Sequence, residues 1–486
     1  MATLAILLVG QAMATMDGSI LVVAAPSLQS SLHASDAQLQ LIVGMYTLAF
    51  GALVVTGARV GDNVGRSRAF RAGLGEFTMA SLVGGLAPNP AVLIGARILQ
   101  GAAAALMTPQ VLSIIQASFN GERRARAIGA YSMILAVGVA AGQIVGGLLV
   151  TAHLVAAAWR PALLLNAPTG VLLLVASHGR LPATPPSRQR LDLAGVGLLS
   201  AALLAVIVPL TFGRQLAWPA WVWPCLLSAV IAARAFAVRE RRLAARGGRP
   251  VFDLGLFGLS GVTRGVFTVW LVMGCYAGFL LMLTLHLQGT LHFTPLHAGL
   301  IFAIYASGFA TASLTWTRWP QRVRERLPPI GLLAMSAALL AIGLLARGGG
   351  WPTATTPPLL FLAGAGHALG FSPLAHRLTT TVRPAQVADL SGLILTASVL
   401  GQVVGVAGLV GIYLTLAAGG SANALATTTG ITAGVLALAA LGAGLERARI
   451  ARSRAAGPAA IRSRWWYWGS GDPWPRPGPI RSRQRR

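Results

Sequence analysis

Met16-Asp17-Gly18-Ser19-Ile20-Leu21-Val22-Val23-Ala24-Ala25-Pro26 places a carboxylate inside an apolar run near the start of the chain. At bilayer depth a carboxylate is costly unless it is neutral, paired or wetted, so Asp17 demands an account before any motif is read. Working outward, the rest of the chain fits the same setting. Of its 486 residues 55% are hydrophobic and 10% charged, whereas soluble proteins are about 25% charged. Mean hydropathy is +0.69. The expected fold class is an all-α integral membrane protein.

A helix needs roughly 20 apolar residues to cross the hydrocarbon core. Such stretches fall near 4–26, 39–58, 70–87, 91–117, 125–150, 159–177, 191–213, 220–238, 264–285, 296–317, 329–346, 357–376, 388–416 and 424–445, fourteen in all. The stretch at 70–87 is short and contains Glu76, and 329–346 is also short. Arginine placement tests the count independently. The chain has 38 basic residues, all Arg, and they cluster in alternate links. Arg66, Arg68 and Arg71 form one cluster, Arg123, Arg124 and Arg126 the next, then Arg180, Arg188 and Arg190. The links between these clusters are nearly bare. Positive charge marks the cytoplasmic side, so both termini are expected there, with the chain multi-pass in the inner (plasma) membrane. The first stretch lacks a basic leader and reads as a retained span rather than a signal peptide.

Several function classes drop out. The net charge of +26 follows topology rather than a binding stripe, so no nucleic-acid partner is expected. Nucleophile-elbow, zinc-protease and Walker motifs are missing from the sequence, and the eight His are scattered. Cys225 and Cys275 both lie in apolar segments and suggest neither a disulfide framework nor a metal cluster. The reading is a non-enzyme without cofactor or metal, powered by an ion gradient or by its substrate's own gradient, with protons the simplest coupling ion. A carboxylate that alternates between protonated and ionised forms is a suitable coupling device.

Asp17 lies roughly 20 Å above the cytoplasmic start of the first span, at 1.5 Å per residue. The fourth span runs the opposite way, which puts Arg97 at similar depth and allows a pair if the two helices pack. Glu76 is expected roughly 10 Å from the cytoplasmic end of the third span, facing a water-filled cavity or lying near an inner gate. For each acid, proton or substrate handling competes with a structural bond. Arg97 rarely sheds its proton and would tune a neighbour instead. His367 is either a hydrogen-bonded helix contact or a proton relay. Gln143, Gln288 and Gln402 are intramembrane amides that contact substrate or a neighbouring helix. Trp270, Tyr276 and Tyr305 are candidate cavity-lining aromatics.

Ala58-Arg59-Val60-Gly61-Asp62-Asn63-Val64-Gly65-Arg66-Ser67-Arg68 resembles the major facilitator signature G-x-L-[AG]-D-R-x-G-R-[RK]. Gly61, Asp62, Gly65 and Arg66 match, followed by Arg68, while Ala58 and Asn63 depart from the pattern. The resemblance implies a gating latch between two halves, one cation poorer at Asn63. Arg97, Gln100 and Gly101 resemble the superfamily's R-x-x-Q-G element, where the Arg is tied to proton coupling. Gly138, Gly142, Gln143, Gly146 and Gly147 resemble the antiporter element G-x-x-x-G-P-x-x-G-G, with Gln143 in place of a Pro associated with a helix bend in exporters. The stretch from Met16 to Pro26 is similar to the L-D-x-T-I-V-N-V-A-L-P motif of the fourteen-helix drug:proton antiporter branch. Trp159-Arg160 followed by Asn166-Ala167-Pro168 resembles that branch's W-R…N-x-P.

The resemblance covers about residues 5–445 and implies a major facilitator fold with 14 transmembrane helices. Six-helix bundles are expected at 1–178 and 255–445, joined by two helices and a loop at 179–254. From 446 a basic tail follows, carrying Trp465, Trp466, Tyr467 and Trp468, and reads as a disordered cytoplasmic extension. The implied activity is proton-coupled export of a small hydrophobic or amphipathic compound by a monomer among membrane lipids. Proton-coupled or facilitated uptake of a small metabolite is one alternative, favoured by Gln143. A non-transporting receptor or scaffold that uses the tail is the other.

Overall fold

The computed structural model describes residues 2–151, 159–182, 192–213, 216, 218–248, 253–259, 261–348, 350–383, 386–417 and 419–455. By contacts the chain divides into Met1–Ala443 and Gly444–Arg486. In the second unit, residues 444–455 are helical, and the aromatic run at 465–468 lies outside the described residues.

Helices account for nearly all of the first unit. The opening set is α1 (Ala2–Leu32), α2 (Asp36–Val64), α3 (Arg66–Gly85), α4 (Pro90–Ser118) and α5 (Gly121–Thr151), then the broken pair α6 (Arg160–Leu164) and α7 (Asn166–Ser177). α8 (Leu193–Phe212) and α9 (Val222–Ala245) pack on each other. The remaining set is α10 (Val262–Leu285), α11 (Pro295–Thr315), the one-turn α12 (Gln321–Arg324), α13 (Leu327–Ala346), α14 (Thr356–Thr381), α15 (Val387–Gly405), α16 (Gly411–Ala417) and α17 (Ser421–Ala455).

Helix starts follow local chemistry. Ser35 and Gln38 form a reciprocal capping box on α2, which satisfies two otherwise orphaned backbone donors. Asn89 caps α4 just ahead of Pro90, where the missing N–H costs nothing. Between α2 and α3 the chain turns at the single residue Gly65, whose φ of 98° is readily open only to glycine.

Among the described residues, thirteen helical segments are long and apolar enough to cross a membrane. The sequence expectation was one higher. The difference is α3, a 20-residue helix that carries Arg66, Arg68, Arg71 and Glu76 and falls outside that set.

In the N-terminal part α1 packs on α5, and α4 packs on both α2 and α3. In the C-terminal part α10 packs on α15, and α14 on both α11 and α13. α5 against α11 and α2 against α15 bring the two parts together. Close approach of α1 and α5 depends on the glycines of the antiporter-like element. A Cβ on Gly142 would stand 2.6 Å from the Met16 carbonyl, and one on Gly146 would stand 2.9 Å from that of Ile20. Small residues let backbones approach where no hydrophobic drive exists between helices in lipid. From α1, the Ser19 hydroxyl uses that closeness to donate to the Val139 carbonyl of α5 at 3.0 Å.

Candidate functional site

Asp17 is paired. Arg97 donates through Nη1 to Asp17 Oδ2, and both residues are 1% exposed. The depth matching of the first and fourth spans thus brings together the two residues that sequence reasoning set side by side. Two further donors converge on Asp17 Oδ1: Asn166 Nδ2 at 2.8 Å and Gln100 Nε2 at 3.2 Å. Gln100 also donates to Ser81 Oγ at 2.8 Å and accepts from Arg97 at 3.0 Å. Arg97 Nε also donates to the Ile42 carbonyl at 3.1 Å. Buried charge is tolerable when it is paired and hydrogen-bonded, and this network supplies such partners from α1, α2, α3, α4 and α7.

Local sequence explains the convergence. Arg97 and Gln100 are three residues apart and share a face of α4. Gly101 keeps α2 close, because a Cβ there would stand 2.8 Å from that of Ala49 and would strike the Tyr46 carbonyl. Asn166 opens α7 directly after the break at Leu165. That break is held by Trp159, which donates to Ser31 Oγ at 2.6 Å, and by Arg160, which donates to the Gly85 and Ala87 carbonyls at 2.9 and 3.0 Å. The W-R…N-x-P element therefore anchors the helix that delivers Asn166 to Asp17. Asn166 and Ser81 were not among the expected site residues, and the motif around Asn166 was the available signal.

Tyr46 covers this network. Its ring lies 4.6 Å from the Arg97 guanidinium carbon, a cation–π distance, and its hydroxyl donates to the Ala14 carbonyl at 2.6 Å. On the other side Tyr46 lines a cavity of about 390 Å³ between the two parts of the chain. α1, α2, α4 and α5 form one wall, and α10, α11, α14 and α15 the other. α1 contributes Gln11, Ala14, Thr15, Gly18 and Ser19 but not Asp17, whose side chain faces away into the network.

Glu76 is placed elsewhere. It is exposed on a face of α3 shared with Ala72, Met79 and Val83, at the helical spacing that groups them, and it does not line the cavity. The expectation of a cavity-facing Glu76 is corrected accordingly: α3 packs its other face on α4 and α7. The Gln143 side chain lies outside the described residues. Gln402 and Tyr276 line the cavity, whereas Trp270 and Tyr305 do not.

The latch element forms an ion network at one end of the cavity. Asp62 accepts from Arg66 at 3.3 Å and pairs with Arg59 at 3.6 Å. Arg59 reaches across to Asp389 of α15 at 3.0 Å. Nearby, Gln116 of α4 donates to Ser391 of α15 at 3.3 Å. The cation missing at Asn63 is therefore replaced by Arg59, three residues before Asp62 on the same helical face, a residue the motif treats as variable. Gly61 admits Gln110, whose amide would collide with any Cβ there, and Gln110 donates to the Gly57 carbonyl at 2.8 Å. Arg68 is exposed.

Helices pairing α2 with α15 and α5 with α11 around a central cavity, with a charged latch at one end, accompany a match of residues 7–406 to the model of the Major Facilitator Superfamily. The chain belongs to the Major Facilitator Superfamily. Solved structures agree on the fold: the human organic anion transporter MFSD10 aligns with TM-score 0.63 at 16% identity over 91% of this chain and 99% of that one. The proton:xylose symporter XylE aligns at 0.64 and 14% over 90% and 94%. Among curated relatives, the probable actinorhodin transporter of Streptomyces coelicolor is 32% identical, covering 84% of this chain and 71% of its own. The cephamycin export protein CmcT of Amycolatopsis lactamdurans is 36% identical over 80% of both chains. The puromycin resistance protein pur8 of Streptomyces alboniger is 33% identical over 83% and 80%. This superfamily member is thus a multi-pass membrane protein with small-molecule transporters as relatives.

Proposed function

We propose that this chain is a proton-driven exporter of hydrophobic or amphipathic small molecules, of the fourteen-helix drug:proton antiporter branch, with Asp17 as the proton-coupling carboxylate and Arg97 as its counter-ion. The observation that carries this reading is the position of α1 between two compartments. One face of α1 lines the cavity with Gln11, Ala14, Thr15, Gly18 and Ser19, and the other gives Asp17 to the buried network. A proton on Asp17 removes the charge that Arg97 pairs with and turns one acceptor oxygen into a donor. The network must then rearrange, and α1 carries that change to the cavity wall and to α5, which packs on it through glycines. Relatives named for export and resistance support the direction.

Support for the fourteenth span comes from α3, which is 20 residues long, with its Arg residues gathered in its first turns. The alternation of Arg clusters supports a plasma-membrane topology with both termini cytoplasmic. Cavity and network lie within a single chain, so the unit of function is read as the monomer.

The test is substrate-triggered proton flux in proteoliposomes, run with a panel of aromatic compounds and with the gradient in both directions. Export predicts that an outside-acid gradient is dissipated when substrate is supplied on the inner side. Asp17→Asn should abolish that coupling, while Glu76→Gln should change it by less than about twofold, the scale expected of an exposed group outside the site. Flux coupled only in the same direction as substrate would establish uptake instead. Unchanged coupling in a folded Asp17→Asn protein would remove the site assignment.

A further inference from the structure

Resting on the export reading, the chemistry of the cavity wall narrows the substrate class. Among the described residues lining the cavity there is no Asp or Glu. The carboxylates at its latch end, Asp62 and Asp389, are taken up by Arg59 and Arg66 and do not line it, and Asp17 is closed off behind Tyr46. An organic cation entering this space would give up its hydration without meeting an opposite charge.

The wall offers open positions of a different kind. His367 of α14 lines the cavity and is 2% exposed. Its Nδ1 is engaged with the Tyr305 hydroxyl at 2.9 Å, while its Nε2 is buried and without a partner. The imidazole is held by Tyr276, at 4.7 Å between ring centroids, and by Phe309, at 4.8 Å. A buried polar atom left without a partner is costly, and one in a cavity wall is a position for a ligand atom. When the tyrosine hydroxyl donates to Nδ1, Nε2 carries the proton and offers a donor to an oxygen. Farther along α14, His376 also lines the cavity and has a buried, unpartnered Nδ1. It lies within the electrostatic reach of Arg324 and Arg124, and the Nε of Arg324 is likewise buried without a partner.

We propose that the cavity takes uncharged or anionic aromatic compounds bearing an acceptor oxygen, such as a carboxylate, phenolate or quinone carbonyl, which binds Nε2 of His367 between Tyr276 and Phe309, and that it discriminates against organic cations. The aromatic cage supplies the flat apolar contact, His367 fixes one oxygen, and the His376–Arg324–Arg124 group biases the latch end toward negative charge.

The test uses two dyes with the same three-ring xanthene core and opposite charge, anionic fluorescein and cationic rhodamine 123. Binding to the purified full chain is followed by fluorescence anisotropy at a fixed pH. Fluorescein should bind at least about tenfold more tightly, as expected for one hydrogen bond to a charged group. His367→Phe/Tyr305→Phe removes the polar pair without orphaning the tyrosine hydroxyl and should erase most of that preference. Gln402→Glu, which sets a carboxylate in the wall with no change of size, should shift the preference toward rhodamine 123 and needs no His variant to fold. Tighter binding of rhodamine 123 together with its export overturns the inference and leaves the export reading standing. Binding of neither dye overturns the inference, and absence of proton flux with the whole compound panel would bring down the export reading as well. An unchanged fluorescein affinity in the folded double variant overturns the role of His367.

Discussion

Asp17→Asn is the sharpest perturbation of the structure. It leaves the size of the side chain intact and removes the charge opposite Arg97, which is 1% exposed. Breaking a buried pair from one side costs about 3–5 kcal/mol, because the remaining charge is uncompensated. Asparagine also presents an NH2 where Asp17 now accepts from Arg97 at one oxygen and from Asn166 and Gln100 at the other, so at least one donor meets a donor. The paired variant Asp17→Leu/Arg97→Met removes both charges and should recover most of the loss, since replacing a buried pair by apolar residues is often neutral or stabilising by about 1–4 kcal/mol. The assay is thermal unfolding in detergent followed with a thiol-reactive dye. In a Cys225→Ser background, Cys275, buried at 4% exposure, reports the opening of the C-terminal part. The single variant should melt several degrees lower than the parent, and the double variant close to it. Equal melting of the parent and Asp17→Asn would refute the network as a stabilising element, and a double variant as unstable as the single would refute the charge argument.

Other expectations follow from the latch, a surface pair and the glycine seam. Arg59→Ala cuts the link to Asp389 at 3.0 Å and should speed alkylation of a reporter cysteine at Ser391 severalfold, measured with a membrane-impermeant maleimide. Hydrogen bonding from Arg239 holds the Asp192 carboxylate below its ordinary range, assisted by the backbone N–H of Gly195. Because the folded-state value is the lowered one, the contribution is present above the ordinary Asp range and is lost as pH falls through the folded value. Asp192→Asn should therefore lower the melting temperature at pH 7, and the difference should shrink as pH falls below the ordinary Asp range. Gly142→Ala drives a methyl against Ser19 and to within 2.6 Å of the Met16 carbonyl. It should destabilise by about 1–3 kcal/mol, the usual cost of overpacking, and slow transport in the flux assay.

Much of the fold was legible because lipid imposes simple rules on a chain. Apolar length marks the spans, α3 excepted, without knowledge of contacts. The same arithmetic set Asp17 and Arg97 at equal depth, and the structure pairs them. Harder to read was anything that depends on which face of a helix meets which neighbour. Glu76 shows this: its depth was estimable, but only the packing of α3 on α4 and α7 turns it outward. Asn166 reaches Asp17, and Ser81 reaches Gln100 beside it, from helices distant in sequence, and no local spacing announces that meeting. At the latch, the motif pattern drew attention to the loss of a cation at Asn63. One turn earlier, Arg59 sits at a position the pattern leaves free, so its reach to Asp389 appears only when α2 and α15 are side by side.

Tyr46 has a consequence of another kind. It stands as a partition, with cargo on one side and the ion pair on the other. On the proposal that Asp17 handles the proton, a compound passing through the cavity need never touch that group, so motor and hold are separate compartments divided by α1 and the Tyr46 ring of α2.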